Sequence, residues 1–146
     1  MKKYVMACAL TLIYNVSFAA PLQCVKTDPA QIAALFDQWN NSLQSGDPQK
    51  VTDNYLTDAV LLPTVSSKTK LTQDDRITYF KRFLEKKPHG KIDNRTIKIG
   101  CNHAIDTGTY TFTFADNSKI SARYTFTYAW DGNAWKISTH HSSVMP

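Results

Sequence analysis

The spacing of apolar residues changes once along this chain, and that change limits the folds available to it. Between residues 28 and 90 the apolar side chains recur every three or four positions, which is typical of amphipathic helices. From Lys91 onward they alternate with polar residues, which is typical of half-buried strands. Helices that precede a run of antiparallel strands collect on one face of the sheet. The pattern therefore predicts an α+β fold, with three N-terminal helices packed on a curved, mainly antiparallel sheet.

Polar residues mark where the three helices begin. The predicted N-caps are Asp28, Asp47 and Thr72. Pro29 suits the first helical position, and Gln31 is placed to complete a capping box with Asp28. A short apolar strand over residues 59–62 precedes the third helix.

The second half of the chain predicts four strands joined by tight turns. The strands are expected near residues 93–101, 109–114, 120–130 and 135–142, and the turns at 106–108, 115–118 and 131–133. One face of these strands is aromatic and the other is rich in threonine: Thr109, Thr111, Thr113, Thr125 and Thr127. Uncharged β-branched residues suit packing against a second copy of the sheet, so we predict a homodimer or a larger assembly.

The N-terminus has the anatomy of a secretory signal peptide over residues 1–19. Lys2 and Lys3 precede an apolar stretch, and Ser17-Phe18-Ala19 offers small residues at a cleavage site. The stretch is short for a stable membrane anchor, although an uncleaved anchor or a buried helix is an alternative reading. We expect a secreted or periplasmic protein whose residues 20–146 form a single domain.

Charge and cysteine content restrict the partners of that domain. The whole chain carries a formal charge of +5, and its basic residues are spread along the sequence, so we expect no nucleic-acid partner. Outside the predicted signal peptide the chain has two cysteines, Cys24 and Cys101. An even number of cysteines in an oxidising compartment favours a disulfide over a metal site or a nucleophile. His89 and His103 have no carboxylate at ligand spacing, and we expect neither a metal nor a cofactor.

The order of elements resembles the nuclear transport factor 2-like superfamily, which includes SnoaL-like cyclases, ketosteroid isomerase and scytalone dehydratase. Within it, the chain is most similar to the calcium/calmodulin-dependent protein kinase II association domain and its small bacterial secreted relatives, which often carry a loose oxidoreductase label. The matching stretches are Trp39 with Gly46-Asp47, YLTDAVLLPT at 55–64, residues 79–84 and the ending at 135–146. The resemblance implies a cone-shaped fold whose open mouth forms a ligand pocket, and it implies self-association.

The ending also departs from the kinase association domain. That domain ends in a pattern like H-R-S-G-x-P, which His141, Ser143 and Pro146 match, whereas Ser142 stands where the pattern has arginine. Thr125 stands near the place of a second arginine, so the resemblance does not carry over an anionic-ligand pocket. The sequence has no Gly-rich phosphate loop and no H-R-D motif, and we predict that it is not a kinase.

Two functions remain open at this point. The first is a non-catalytic, self-associating domain whose pocket, formed by Trp39, Tyr55 and His141, binds a small molecule or peptide. The second is a SnoaL-like acid–base enzyme of isomerase, cyclase or dehydratase type, acting on a small hydrophobic substrate through His141 or Asp58. Strict alternation along the predicted strand at 135–142 places His141 on the face of Ile137 and His140 on the opposite face. Leu62-Pro63, near the base position of ketosteroid isomerase, cannot take a proton, so we favour the first function.

Overall fold

The computed structural model describes residues 23–64 and 66–146, so the predicted signal peptide lies outside the described residues. The helices are α1 (Pro29–Gln44), α2 (Pro48–Thr52) and α3 (Gln73–Leu84). The strands are β1 (Tyr55–Leu62), β2 (His89–Gly100), β3 (His103–Thr113), β4 (Lys119–Trp130) and β5 (Trp135–Val144). They form one sheet in the order β1-β5-β4-β3-β2, in which only β1 and β5 pair in parallel. The predicted α+β fold class is confirmed.

The predicted helix starts are confirmed by their capping hydrogen bonds. The Asp28 carboxylate accepts from the Gln31 backbone N–H at 2.8 Å, and the Gln31 side chain accepts from the Asp28 N–H at 3.1 Å. Asp47 and Thr72 cap α2 and α3 through their side-chain oxygens. Each cap satisfies an N–H group that the helix itself leaves without a partner, a contribution of about 1 kcal/mol.

Helix α1 crosses the inner face of the sheet and carries the centre of the aromatic core. Trp39 is 1% exposed, and its ring meets the rings of Phe80, Phe112 and Phe126 edge-on. Phe36, one turn earlier, packs on Tyr110, Tyr124 and Phe126. Truncating a buried aromatic of this kind to alanine costs about 3–5 kcal/mol, so α1 and the sheet depend on each other for stability.

The predicted turn at residues 106–108 is wrong, because β3 runs straight through it. The chain reverses instead at Cys101 and Asn102, where Asn102 has a φ of 59°. Gly108 lies inside β3 opposite an irregularity in β2, where a Cβ would collide with the backbone oxygen of Asn94. A glycine within a strand pattern thus marks a close backbone approach here, not a turn.

The N-terminal segment is tied to this β2–β3 turn. A disulfide joins Cys24 to Cys101, whose Cα atoms are 4.9 Å apart. The Asn102 side chain accepts from the Val25 N–H at 2.8 Å and donates to the Gln23 carbonyl at 3.0 Å. Among the described residues, no helix is long and apolar enough to cross a membrane.

Candidate functional site

A cavity of about 430 Å³ opens between α3 and the inner face of β3, β4 and β5. Its wall is mainly apolar, formed by Leu61, Pro63, Phe80, Phe83, Phe112, Phe114, Ile120 and Ala122. The volume is in the range of small-molecule sites, and the aromatic wall suits a flat apolar molecule. No carboxylate is among the described residues that line it.

Three basic residues, Lys70, Arg82 and Lys86, also line the cavity. None of them forms an ion pair with a described residue. Arg82 and Lys86 are exposed, so water surrounds their charges and weakens any attraction they exert on a ligand.

The polar end of the cavity is centred on His140, which is 4% exposed. Behind it, the Trp39 indole N–H donates to the Tyr55 hydroxyl at 3.0 Å, and that hydroxyl lies 2.9 Å from His140 Nδ1. The His140 ring also stacks on Phe126, with 4.0 Å between ring centroids. These contacts hold the imidazole in one orientation, with its Nε2 atom on the side of the cavity.

On the cavity side, His140 Nε2 lies 3.5 Å from the Tyr110 hydroxyl. Tyr110 in turn donates to Ser142 Oγ at 2.6 Å, and the hydroxyls of Ser142 and Thr64 are hydrogen-bonded to each other. His140, Tyr110, Ser142 and Thr64 all line the cavity. Its inner end is therefore polar but carries no formal charge.

Burial keeps this network neutral. Desolvation, with a smaller contribution from the neighbouring His141, lowers the pKa of His140 from 6.5 to about 3. Desolvation raises the pKa values of the Tyr55 and Tyr110 hydroxyls, and the hydrogen bond that Tyr55 accepts from Trp39 opposes part of the change at Tyr55. A histidine with so low a pKa is a weak base at neutral pH, and its natural role there is to donate a hydrogen bond.

Only some of the predicted site residues lie at the cavity. Trp39 lines the cavity, and Tyr55 lies directly behind its polar end. Asp58 is exposed and does not line the cavity. His141 is exposed on the outer face of the sheet, where it borders a shallow depression with Arg123.

The expected orientation of the two histidines is therefore wrong. In β5, Ile137 pairs with Tyr128 and Thr139 pairs with Thr127, which leaves Ser138 as an extra residue. This bulge reverses the alternation, so that His140, not His141, follows Ile137 onto the inner face.

A buried arginine on α3 was not predicted from the sequence. Arg76 is 1% exposed, and its guanidinium donates to the backbone carbonyls of Ala59 at 2.5 Å, Leu56 at 3.0 Å and Thr57 at 2.9 Å. The pairing of β1 with β5 is interrupted in this part of β1, which leaves these carbonyls without strand partners. Arg76 supplies these carbonyls with the hydrogen bonds that a neighbouring strand would otherwise provide, and so joins α3 to β1.

A second buried polar cluster lies apart from the cavity. Asp106 is fully buried, and its Oδ1 accepts from the Tyr124 hydroxyl at 2.8 Å and from Arg95 Nε at 3.1 Å. Burial raises the pKa of Asp106, and the bonds from Tyr124 and Arg95 oppose that change. None of the three lines the cavity. In the described part of the chain, no three His, Cys, Asp or Glu side chains are grouped to hold a metal ion.

The identity of the fold follows from comparison with known proteins. Residues 28–146 match the family model of the calcium/calmodulin dependent protein kinase II association domain. The chain belongs to this family. A Xanthomonas campestris protein provisionally assigned to the same association domain is 41% identical, covering 88% of this chain and 99% of its own, with a TM-score of 0.77. No curated protein matches the chain.

More distant structures share the association domain's fold alone. A nuclear transport factor 2-like protein of unknown function from Pseudomonas putida is 14% identical, covering 78% of this chain and 84% of its own, with a TM-score of 0.70. A protein of the same fold from Streptomyces avermitilis, provisionally assigned as a dehydratase, is 11% identical over 80% of this chain and 95% of its own, with a TM-score of 0.72. The nuclear transport factor 2-like fold is thereby shown.

Proposed function

We propose that this association-domain protein is an exported, self-associating module that binds a small, largely apolar molecule in its cavity without transforming it. The observation that carries the proposal is the cavity itself, a space of about 430 Å³ with an aromatic wall and a neutral polar inner end. Such a site offers apolar burial and a few hydrogen bonds, which are the two contributions that small-molecule recognition needs.

The chemistry of the lining favours binding over catalysis. An acid–base enzyme of this fold needs a group that takes a proton near neutral pH, within reach of the substrate. The lining residues include no carboxylate, and the hydrogen-bond partners of His140 are the hydroxyls of Tyr55 and Tyr110. The carboxylate–histidine pair that would favour a SnoaL-like enzyme is thus missing from the described residues around the cavity.

The outer face of the sheet supports the proposal of self-association. Thr107 and Thr125 bond to each other at 2.9 Å, as do Thr127 and Ser138 at 2.7 Å, so their hydroxyls already have partners within the sheet. The methyl groups of the three threonines then add apolar surface to this face. Leu62 and Ile105, which are 37% exposed, add apolar surface to the same face. A second copy of this sheet is the partner that we propose for the patch formed by these threonines, Leu62 and Ile105.

Export is supported by two independent features. Residues 1–19 have the layout of a signal peptide, and the Cys24–Cys101 disulfide needs an oxidising compartment to form and persist. Secretion or release into a periplasm meets both requirements.

The test of ligand binding uses a cavity-filling variant. Protein purified from its native host is denatured, and the released small molecules are identified by mass spectrometry. The variant Ile120→Trp fills part of the cavity and should lose the bound molecule, whereas Ile99→Trp, outside the cavity lining, should retain it. Equal recovery from both variants, or a molecule that the protein converts on incubation, would contradict the proposal.

A further inference from the structure

The direction of the hydrogen bonds at the inner end of the cavity points to the class of ligand that it binds. We infer that this end selects a neutral hydrogen-bond acceptor, such as a ketone or ester carbonyl, on an apolar body, through a hydroxyl hydrogen of the Ser142–Thr64 pair. The inference deepens the proposed function and rests on it. It follows from a chain of hydrogen bonds that begins at an indole and ends at the cavity surface.

The first part of the chain has only one direction. The Trp39 indole N–H is a donor and has no acceptor, so the Tyr55 oxygen must accept from it at 3.0 Å. Tyr55 then has its one hydrogen left to donate to His140 Nδ1, 2.9 Å away. A neutral imidazole that accepts at Nδ1 carries its hydrogen at Nε2. Trp39, whose ring also meets the His140 ring edge-on, thereby selects the tautomer of a histidine to which it is linked by hydrogen bonds only through Tyr55.

The same direction continues toward the cavity. The His140 Nε2–H faces the Tyr110 oxygen at 3.5 Å, and Tyr110 donates its own hydrogen to Ser142 Oγ at 2.6 Å. Ser142 and Thr64 share one hydrogen bond but carry two hydroxyl hydrogens. Neither hydroxyl donates to any other described residue, so one hydrogen of the pair is left at the cavity surface.

The same geometry argues against an anionic group at this end. Arg76, the fully buried cation among the described residues, already donates to backbone carbonyls of β1 and does not line the cavity. His140 stays neutral because burial lowers its pKa. A carboxylate placed beside Ser142 would need a cation there, which neither Arg76 nor the neutral His140 supplies, whereas a carbonyl needs only the one hydrogen bond.

Three tricyclic molecules of matched shape test the inference on the mature, disulfide-bonded protein. Fluorenone only accepts hydrogen bonds, carbazole only donates, and fluorene does neither. We expect fluorenone to bind about tenfold more tightly than fluorene, the effect of one good buried hydrogen bond, and more tightly than carbazole, because a ligand that only donates leaves the spare hydroxyl hydrogen without an acceptor. Calorimetry or competition fluorescence gives the three dissociation constants.

A remote variant tests whether the chain sets this preference. Tyr55→Phe disconnects Trp39 from His140 at a residue that does not line the cavity, so the fluorenone-to-carbazole ratio should fall severalfold with fluorene affinity little changed. Tyr128→Phe is the matched control, a buried tyrosine whose hydroxyl has no partner among the described residues, and should keep the ratio. An unchanged ratio in Tyr55→Phe would overturn the inference.

The dissociation constants of the wild-type protein distinguish a failure of this inference from a failure of the proposed function. If fluorene binds and fluorenone is not preferred over both fluorene and carbazole, the inference fails while ligand binding stands. Tighter binding of fluorene-2-carboxylate than of fluorenone would also overturn it and would assign recognition to the basic residues of the cavity. If none of these molecules binds, ligand binding in the cavity fails and the inference falls with it.

Discussion

Acid should destabilise this protein through one buried side chain, the His140 imidazole. In the folded protein, burial lowers the pKa of His140 from 6.5 to about 3, because the protonated ring would lose its hydration. In the unfolded chain the ring takes a proton near pH 6.5. Between these values the unfolded state binds more protons than the folded state, so lowering the pH favours unfolding.

The magnitude follows from the two pKa values. Between pH 7 and pH 5 the unfolded ring becomes almost fully protonated while the folded ring stays neutral, and the linkage relation gives a loss of about 2 kcal/mol in the free energy of unfolding. The loss continues toward pH 3, where carboxylates begin to contribute as well. The carboxyl groups of Asp75, Asp116 and Asp131 have lowered pKa values in the folded state, so their contributions begin below the window from pH 7 to pH 5.

Urea denaturation at pH 7, 6 and 5 measures this loss. His140→Gln keeps groups able to accept from Tyr55 and donate to Tyr110 but does not titrate, so its loss should be smaller than that of the wild type by about 2 kcal/mol. His141→Gln, on the exposed neighbour, should behave as the wild type does. NMR of the His140 ring gives an independent reading that needs no variant. A ring that becomes protonated between pH 7 and pH 5 in the folded protein would refute the reasoning.

Three further predictions concern stability and assembly. Exported protein should show no free thiol by mass spectrometry, and two alkylatable thiols would contradict this. Replacing both Cys24 and Cys101 by serine should lower the free energy of unfolding by up to about 4 kcal/mol, because the bond closes a loop with a separation of 77 residues. Gly108→Ala should destabilise by about 1–3 kcal/mol through its collision with β2, and an unchanged urea midpoint would count against that contact. Thr125→Lys should split the proposed dimer by placing a charge in its interface at a residue that bonds to Thr107 and not to a carboxylate, and a monomer mass for the wild type in light scattering would end the idea.

The helical half of the chain was predictable because its signals are local. A cap such as Asp28 acts on N–H groups within three residues, so the residues that decide where α1 begins are adjacent in the sequence. The strands are different, since their turns depend on which backbone approaches which. Gly108 looks like a turn residue in the sequence, but its lack of a side chain allows β3 to approach the Asn94 backbone of β2 closely. That partner is 14 residues away, and no local pattern identifies it.

The candidate site shows the same limit at the level of a single inserted residue. Alternation predicts correctly that His140 and His141 point to opposite faces, but the bulge at Ser138 decides which of them points inward. The bulge lies where β5 pairs with β4 on one side and in parallel with an interrupted β1 on the other, so its position depends on two registers at once. Burial keeps the inner histidine neutral, and residues distant in the sequence orient it, Trp39 through Tyr55 on one side and Tyr110 on the other. The chemistry of the cavity therefore becomes readable only in the folded protein.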